Sequence, residues 1–376
     1  MPILRFFYKF FFYFFSYPIY LYLKFKRIFL VAGMITSTGH TFQENHYFNL
    51  KKKYSLLPKN YKFLFITNHN HITEFSNKFL NYYDYHIINN YLNYFKDDLC
   101  KTYSDIVYYN HLSHFTLNKK KISWLKGFQK QNHYYKLFNK GNNFLNDLKL
   151  PEVVENNHKN EKYIVIHIKD EIVNATAKKT DPITYIPLLK FIKKKKYKIF
   201  FIGREKMPKI FNNYIDWNYA NSSKANYLND IKLVSNAEFS VIFGSGLVNI
   251  PMILGKYYLY LGSWHLIAPS ASKNCIFIPT LLKHKKKGKI LSLKENFDFF
   301  KNSKIQIFKS DNLTPVNPNG SEILHGFKEL MSLKEKHSKP NYLQRKYNNF
   351  FKDQPINYSK ARISSNFIKK YKDFLF

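Results

Sequence analysis

Ser245 stands between Gly244 and Gly246, where an apolar run (Phe239, Val241, Ile242, Phe243) gives way to Leu247, Ile250, Ile253 and Leu254 at helical spacing. A strand, a glycine turn and a helix in that order can hold an anion. Glycines let the backbone approach closely, and the orphan N–H groups of the first helical turn, here from Gly244 to Leu247, point at the ligand. A nucleoside diphosphate suits such a place. The same two glycines could equally serve only to turn a tight corner in an α/β domain.

Cations at neighbouring strand ends would complete a diphosphate site. Tyr163 to Ile168 reads as a buried strand ending in His167-Ile168-Lys169-Asp170, and Lys198 to Ile202 as another, closed by Gly203-Arg204-Glu205. Lys169 and Arg204 are therefore candidates to neutralise a bound diphosphate. Arg204 is the more telling, because lysine supplies most of this chain's cations; Lys169 could also be an ordinary surface lysine. A general base is sought among histidines. His40, after Gly39 at an expected strand end, is the first choice, with His69, His71 and His167 as rivals and a structural role open to each. Asp170 is a further candidate for the cleft, and Asp230 reads as a capping or positioning residue.

The Asn68-His69-Asn70-His71 stretch has no Cys or carboxylate at ligand spacing, so no metal is expected. Cys100 and Cys275 match no metal or redox spacing and point to a reducing compartment.

The elements that must position these residues follow from the pattern. A chain of 376 residues is long enough for two domains. Strands alternate with helices, as in the helix after Thr180-Asp181 that ends in Lys193 to Lys196, and this argues for parallel sheets covered on both faces. The expected divisions are a membrane-interface segment over 1–27, an N-terminal α/β domain over 28–155, a second α/β domain over 156–335 and a helical tail over 336–376. Phe6 to Leu23 is aromatic and aliphatic, but Lys9 interrupts it, Pro18 breaks it, and Lys24, Lys26 and Arg27 close it. The uninterrupted part is too short to span a bilayer, and it suits the membrane interface. A helix packed on the protein's own surface is the alternative.

Lys and Arg number 60 against 25 Asp and Glu, a net charge of +35. The excess is mainly lysine and accompanies heavy use of Asn, Ile, Phe and Tyr, as codon drift in an AT-rich genome would produce. Its basic runs are scattered and no nucleic-acid module is recognisable, so a solvated basic surface is expected and nucleic acid is not.

Taken in order, His167-Ile168-Lys169-Asp170, Asp181 to Tyr185, Phe201-Ile202-Gly203, Tyr219 to Ser222, Asp230, Gly244-Ser245-Gly246, Pro251, Gly255-Lys256 and Tyr260 resemble a family of bacterial glycosyltransferases. The likeness covers Tyr163 to Leu266, with weaker echoes at Gly39-His40, at Asn312 to Glu322 and around Ser364 to Phe367. It implies a GT-B-like α/β fold, two Rossmann-like domains facing a cleft. It further implies metal-independent transfer of a hexosyl or deoxyhexosyl group from a nucleotide-sugar donor to a cell-envelope glycan or lipid-linked acceptor, as in polysaccharide or lipopolysaccharide synthesis. The place of work would be cytoplasmic and peripheral, on the anionic inner face of the membrane. Lys169 stands where the family has arginine, and lysine lacks the planar fork that grips phosphate. That departure favours an alternative, a non-catalytic paralogue acting as a scaffold; another transferase on the same fold is a further one.

Overall fold

A computed structural model describes residues 2–32, 38–67, 85–88, 98–109, 116–117, 120–121, 124–140, 161–169, 180–263, 272–302, 312–352 and 359–376. The chain forms two compact units, Met1–Leu112 and Ser113–Phe376.

The first unit opens with helix α1 (Pro2–Phe25), which runs unbroken through Pro18. Pro18 is expected to break the apolar run, yet the helix passes through it; Pro18 and Phe14, the pair that loses its hydrogen bond, lie on the exposed side, where the orphan carbonyl meets solvent. After α1 come β1 (Ile28–Ala32), α2 (Thr38–Lys53), β2 (Lys62–Thr67), β3 (Tyr85–Ile88) and β4 (Val107–Tyr109). The four strands pair in parallel in the order β3-β2-β1-β4. Phe12 and Leu23 of α1 pack with Ile28, Leu30, Leu99 and Ile106, while Val31, Phe48 and Phe63 form a second buried cluster. Helix α1 is thus part of this unit rather than an appendage.

The second unit begins with a small hairpin, β5 (Thr116–Leu117) and β6 (Lys120–Lys121), and helix α3 (Trp124–Lys140). Its centre is a seven-stranded sheet of β7 (Tyr163–His167), β8 (Lys198–Phe201), β9 (Trp217–Asn218), β10 (Phe239–Phe243), β11 (Tyr258–Ser263), β12 (Cys275–Pro279) and β15 (Arg362–Ile363). All pairs are parallel, in the order β15-β12-β11-β10-β7-β8-β9. Every residue of β7, β10 and β12 is buried, as expected of strands covered on both faces. An antiparallel ribbon, β13 (Leu281–His284) with β14 (Leu313–Val316), lies outside that sheet.

Helices between the strands start where the caps predict. Asp181 accepts from the Ile183 N–H ahead of a 3-10 turn with Pro182 first, which leads into α4 (Ile186–Lys194). Asn226 caps α5 (Tyr227–Asn236) through the Asn229 N–H. After β10, the 3-10 turn Gly246–Val248 is followed by the short α6 (Asn249–Ile253). Helix α7 spans Leu293–Asn302, and α8 (Gly320–Lys336) opens with a capping box between Asn319 and Glu322. The tail, read as helical throughout, is α9 (Tyr342–Phe350), then β15, then α10 (Ser365–Leu375). It packs into the unit: the Gln344 amide donates to Ile363 O at 2.6 Å, and Lys370 reaches the buried Glu322 carboxylate at 2.7 Å.

Candidate functional site

From β7 the chain moves outward through β8 and β9, then returns to β10 on β7's other side and moves outward the opposite way. The connections leaving the C-terminal ends of β7 and β10 therefore diverge. Ligands of open α/β sheets settle in the crevice that such a reversal leaves.

His167 is the last residue of β7, in register with Ile242, and Lys169 follows two residues on. Beside β7, the end of β8 leads into Gly203-Arg204-Glu205. Gly203 has φ +107°, and an added Cβ would lie 2.6 Å from His167 Cδ2, so only glycine lets the backbone cross so close over the imidazole. The crossing brings Glu205 between the His167 imidazole and the Lys169 ammonium. Its Oε2 is 3.2 Å from His167 Nε2, and its Oε1 accepts from Lys169 Nζ at 2.6 Å. Burial alone would raise the Glu205 carboxyl, but His167 and Lys169 more than reverse this and hold it well below the usual carboxylate range. His167 is itself buried, and its Nδ1 has no hydrogen-bond partner among the described residues.

A second pair stands alongside. Arg204 NH1 lies 3.3 Å from Asp230 Oδ2 and donates to Gly203 O at 2.6 Å. Asp230 is buried in the first turn of α5; burial lifts its carboxyl to about 7 despite the opposing pull of Arg204. The helix cap is Asn226, so of the two roles expected of Asp230, capping or positioning, its contact with Arg204 fits the second. The loop leaving β7 is closed at its base: Thr180 N–H donates to Lys169 O at 2.7 Å, and Lys169 N–H to Thr180 Oγ1 at 3.0 Å.

At the end of β10, Gly244 N–H donates to Leu261 O at 2.8 Å, and a Cβ on Gly244 would stand 2.9 Å from Gly262 O. Glycine is needed there for contact with β11. The Ser245 hydroxyl accepts from Leu247 N–H at 3.2 Å. Of the four amides assigned to an anion, two thus have partners within the protein, leaving Ser245 and Gly246 for a ligand. Replacing Ser245 with alanine removes the cap of this turn, and thermal or urea unfolding should show a loss of about 1 kcal/mol; unchanged stability would mean that the hydroxyl contributes nothing there.

The remaining candidates divide. His40 lies in the first turn of α2 rather than on a strand end, because the helix starts at Thr38. His69, His71 and Asp170 fall outside the described residues. Among the described residues, no cluster of His, Cys, Asp or Glu has the make-up of a metal site, and Cys100 and Cys275 form no disulfide. Glu205 is the site residue that sequence reading missed; its one signal was an acidic residue closing a strand-ending glycine turn.

No protein-family model and no curated protein matches this chain. Solved structures share its layout at low identity. A glycosyl transferase of family 9 from Veillonella parvula is 9% identical with a TM-score of 0.48, over 81% of this chain and 97% of that one. E. coli ADP-heptose LPS heptosyltransferase II is 12% identical with a TM-score of 0.47, over 82% and 99%. E. coli heptosyltransferase WaaC, solved with ADP, is 11% identical with a TM-score of 0.40, over 67% and 90%. No residue's role rests on these overlaps.

Proposed function

We propose that this chain is a glycosyltransferase whose second unit binds the diphosphate of a nucleotide-sugar donor at the C-terminal ends of β7, β8 and β10. One observation supports this above the rest. Lys169 and Arg204 stand at adjacent strand ends beside the sheet's reversal point, each held by an acidic partner, yet their side chains remain 28% and 52% exposed. Cations anchored in this way can turn toward an incoming anion at little cost in side-chain ordering. They would neutralise the leaving diphosphate together with the amides of Ser245 and Gly246, and no metal is invoked.

The group transferred is a hexosyl or deoxyhexosyl unit. The acceptor is a cell-envelope glycan or lipid-linked sugar, and the protein works peripherally at the inner face of the membrane. His40 is the proposed base, taking the acceptor hydroxyl's proton as that oxygen bonds to the anomeric carbon and the diphosphate departs. His69 and His71 remain rivals. His167 is a weaker one, since both its burial and its pairing with Glu205 suit an anchored ring.

A second reading, a scaffold that has kept the fold without the chemistry, is favoured by the two closed ion pairs and by lysine in place of the resemblance's arginine. Thermal melting against a panel of nucleoside diphosphates and nucleotide sugars, ADP-heptose included, separates the two. A specific ligand at a hundredfold excess over its Kd adds about 2.7 kcal/mol. The transferase reading expects a shift that one base elicits, that survives EDTA, and that weakens in Lys169→Ala or Arg204→Ala. No shift with any nucleotide supports the scaffold, and undiminished affinity in both variants removes Lys169 and Arg204 from the donor site.

A further inference from the structure

Helix α1 is fastened to its unit by one face only. Phe12, Ser16 and Leu23 are buried there. Polar ties run nearly its whole length: Tyr8 OH to Asp98 at 2.6 Å, Tyr20 OH to Asp105 at 3.0 Å and Lys24 Nζ to Asp105 at 3.1 Å. Tyr20 also stacks on Tyr103 with ring centroids 4.3 Å apart. Among the described residues, the acidic groups that α1 meets, Asp98 and Asp105, are thus on its inner side and engaged.

The outer side is different in kind. At 100° per residue, positions from Tyr17 round to Phe15 cover an arc of roughly 160°, and no residue between 7 and 25 on that arc is charged. Phe14 is 68% exposed, Phe10 and Phe15 61%, and Phe25 81%. Soluble surfaces rarely carry so continuous an apolar patch without a partner. Beside Pro18 the patch is indented by a groove of about 700 Å³, lined by Phe10, Phe14, Phe15, Pro18 and Tyr103 among others. The helix ends in the exposed cations Lys26 and Arg27, with Lys52 and Lys53 exposed at the end of α2.

These features select the occupant. A second copy of the helix would pair along a seam confined to a and d positions, and this apolar arc is much wider. Crossing a bilayer is excluded for the described helices, none of which is long and apolar enough. The carbonyl that Pro18 orphans also needs water or a headgroup, which the interface supplies and the hydrocarbon core does not. A helix with one broad aromatic face, rimmed by cations and held rigidly along the other face, fits the plane of an anionic membrane surface.

We propose that the outer arc of α1 lies flat in the interface of an anionic bilayer, with lipid hydrocarbon filling the groove at Pro18. This rests on the peripheral-membrane part of the proposed function and supplies its chemistry. The full chain is to be sedimented with vesicles of phosphatidylcholine alone and of equimolar phosphatidylcholine and phosphatidylglycerol. Binding is expected to favour the mixed vesicles and to weaken with salt. It should fall roughly tenfold or more in Phe11→Ser/Phe14→Ser, both residues being over half exposed and so dispensable to the fold. Lys26→Glu/Arg27→Glu should lose the preference for anionic lipid. Three results would overturn the proposal: a full chain that stays in solution with both vesicles, undiminished binding by the aromatic variant, or a lipid-free dimer that the same substitutions abolish. No nucleotide enters these assays, so docking and donor binding stand or fall separately.

Discussion

Replacing Glu205 with alanine should destabilise the second unit by about 3 kcal/mol, measured by urea unfolding near neutral pH. Removing one partner of a buried ion pair typically costs about 3–5 kcal/mol, because the opposite charge is left without compensation. The lower end applies here, since Lys169, the cation left behind, is 28% exposed and can turn to water. The acid dependence gives a second reading of the same contact. The Glu205 carboxyl is held below its ordinary value of 4.5 in the folded chain. Its contribution is therefore complete above pH 4.5 and is lost as the pH falls below that value. Stabilities of wild type and Glu205→Ala should converge in acid; curves that stay parallel would mean that packing, not charge, explains the loss. Glu205→Gln, which keeps the volume and loses the charge, provides the control.

Asp230→Asn is expected to act in the opposite direction and with a different pH profile. The Asp230 carboxyl rises from its ordinary 3.8 to about 7 on folding. Between those values the native chain retains a proton that the unfolded chain has released, so wild-type stability declines as pH rises through the window and levels off above it. A change in proton affinity of this size corresponds to a cost on the order of 4 kcal/mol at the alkaline end. The ion pair with Arg204 offsets little, because that side chain is 52% exposed and its charge is screened by water. Asparagine has nearly the same shape and does not titrate. The variant should therefore gain on wild type between about pH 4 and about pH 7, and a difference in stability that stays constant across that range would refute the burial account. The same substitution should loosen the hold on Arg204, so nucleotide affinity belongs beside the stability measurement.

Much of this architecture is visible in local sequence. Runs such as Tyr163 to Ile166 and Val241 to Phe243 are continuously apolar, as an internal parallel strand requires, and Asp181-Pro182 and Asn319 with Glu322 announce their helices by capping chemistry. Partnerships across the sheet are not visible in that way. Lys169 and Glu205 are 36 residues apart and meet only because β8 lies beside β7 and Gly203 turns the chain back over His167. Lys169 could be named as a strand-end cation, but its partner follows from strand order. Asp230 reads from sequence as a capping or positioning residue, and only the fold decides between the two: Asn226 caps the helix and Asp230 holds Arg204. Pro18 misled for a related reason, since a proline's effect on a helix depends on which face it occupies. The strand β15 has only two residues, too few for any periodicity, and is defined by its pairing alone.

That late, two-residue strand has a bearing on biosynthesis. β12 is complete at Pro279, yet the strand covering its outer edge comes from Arg362 and Ile363, and Gln344 and Ser364 add bonds that hold it there. While a ribosome is still translating the intervening helices, β12 offers an unpaired row of backbone donors and acceptors, the feature that invites neighbouring nascent chains to add strands of their own. The second unit is thus committed to finishing its sheet late in synthesis. Slow decoding or premature release between those points would expose the one edge that the finished protein covers last.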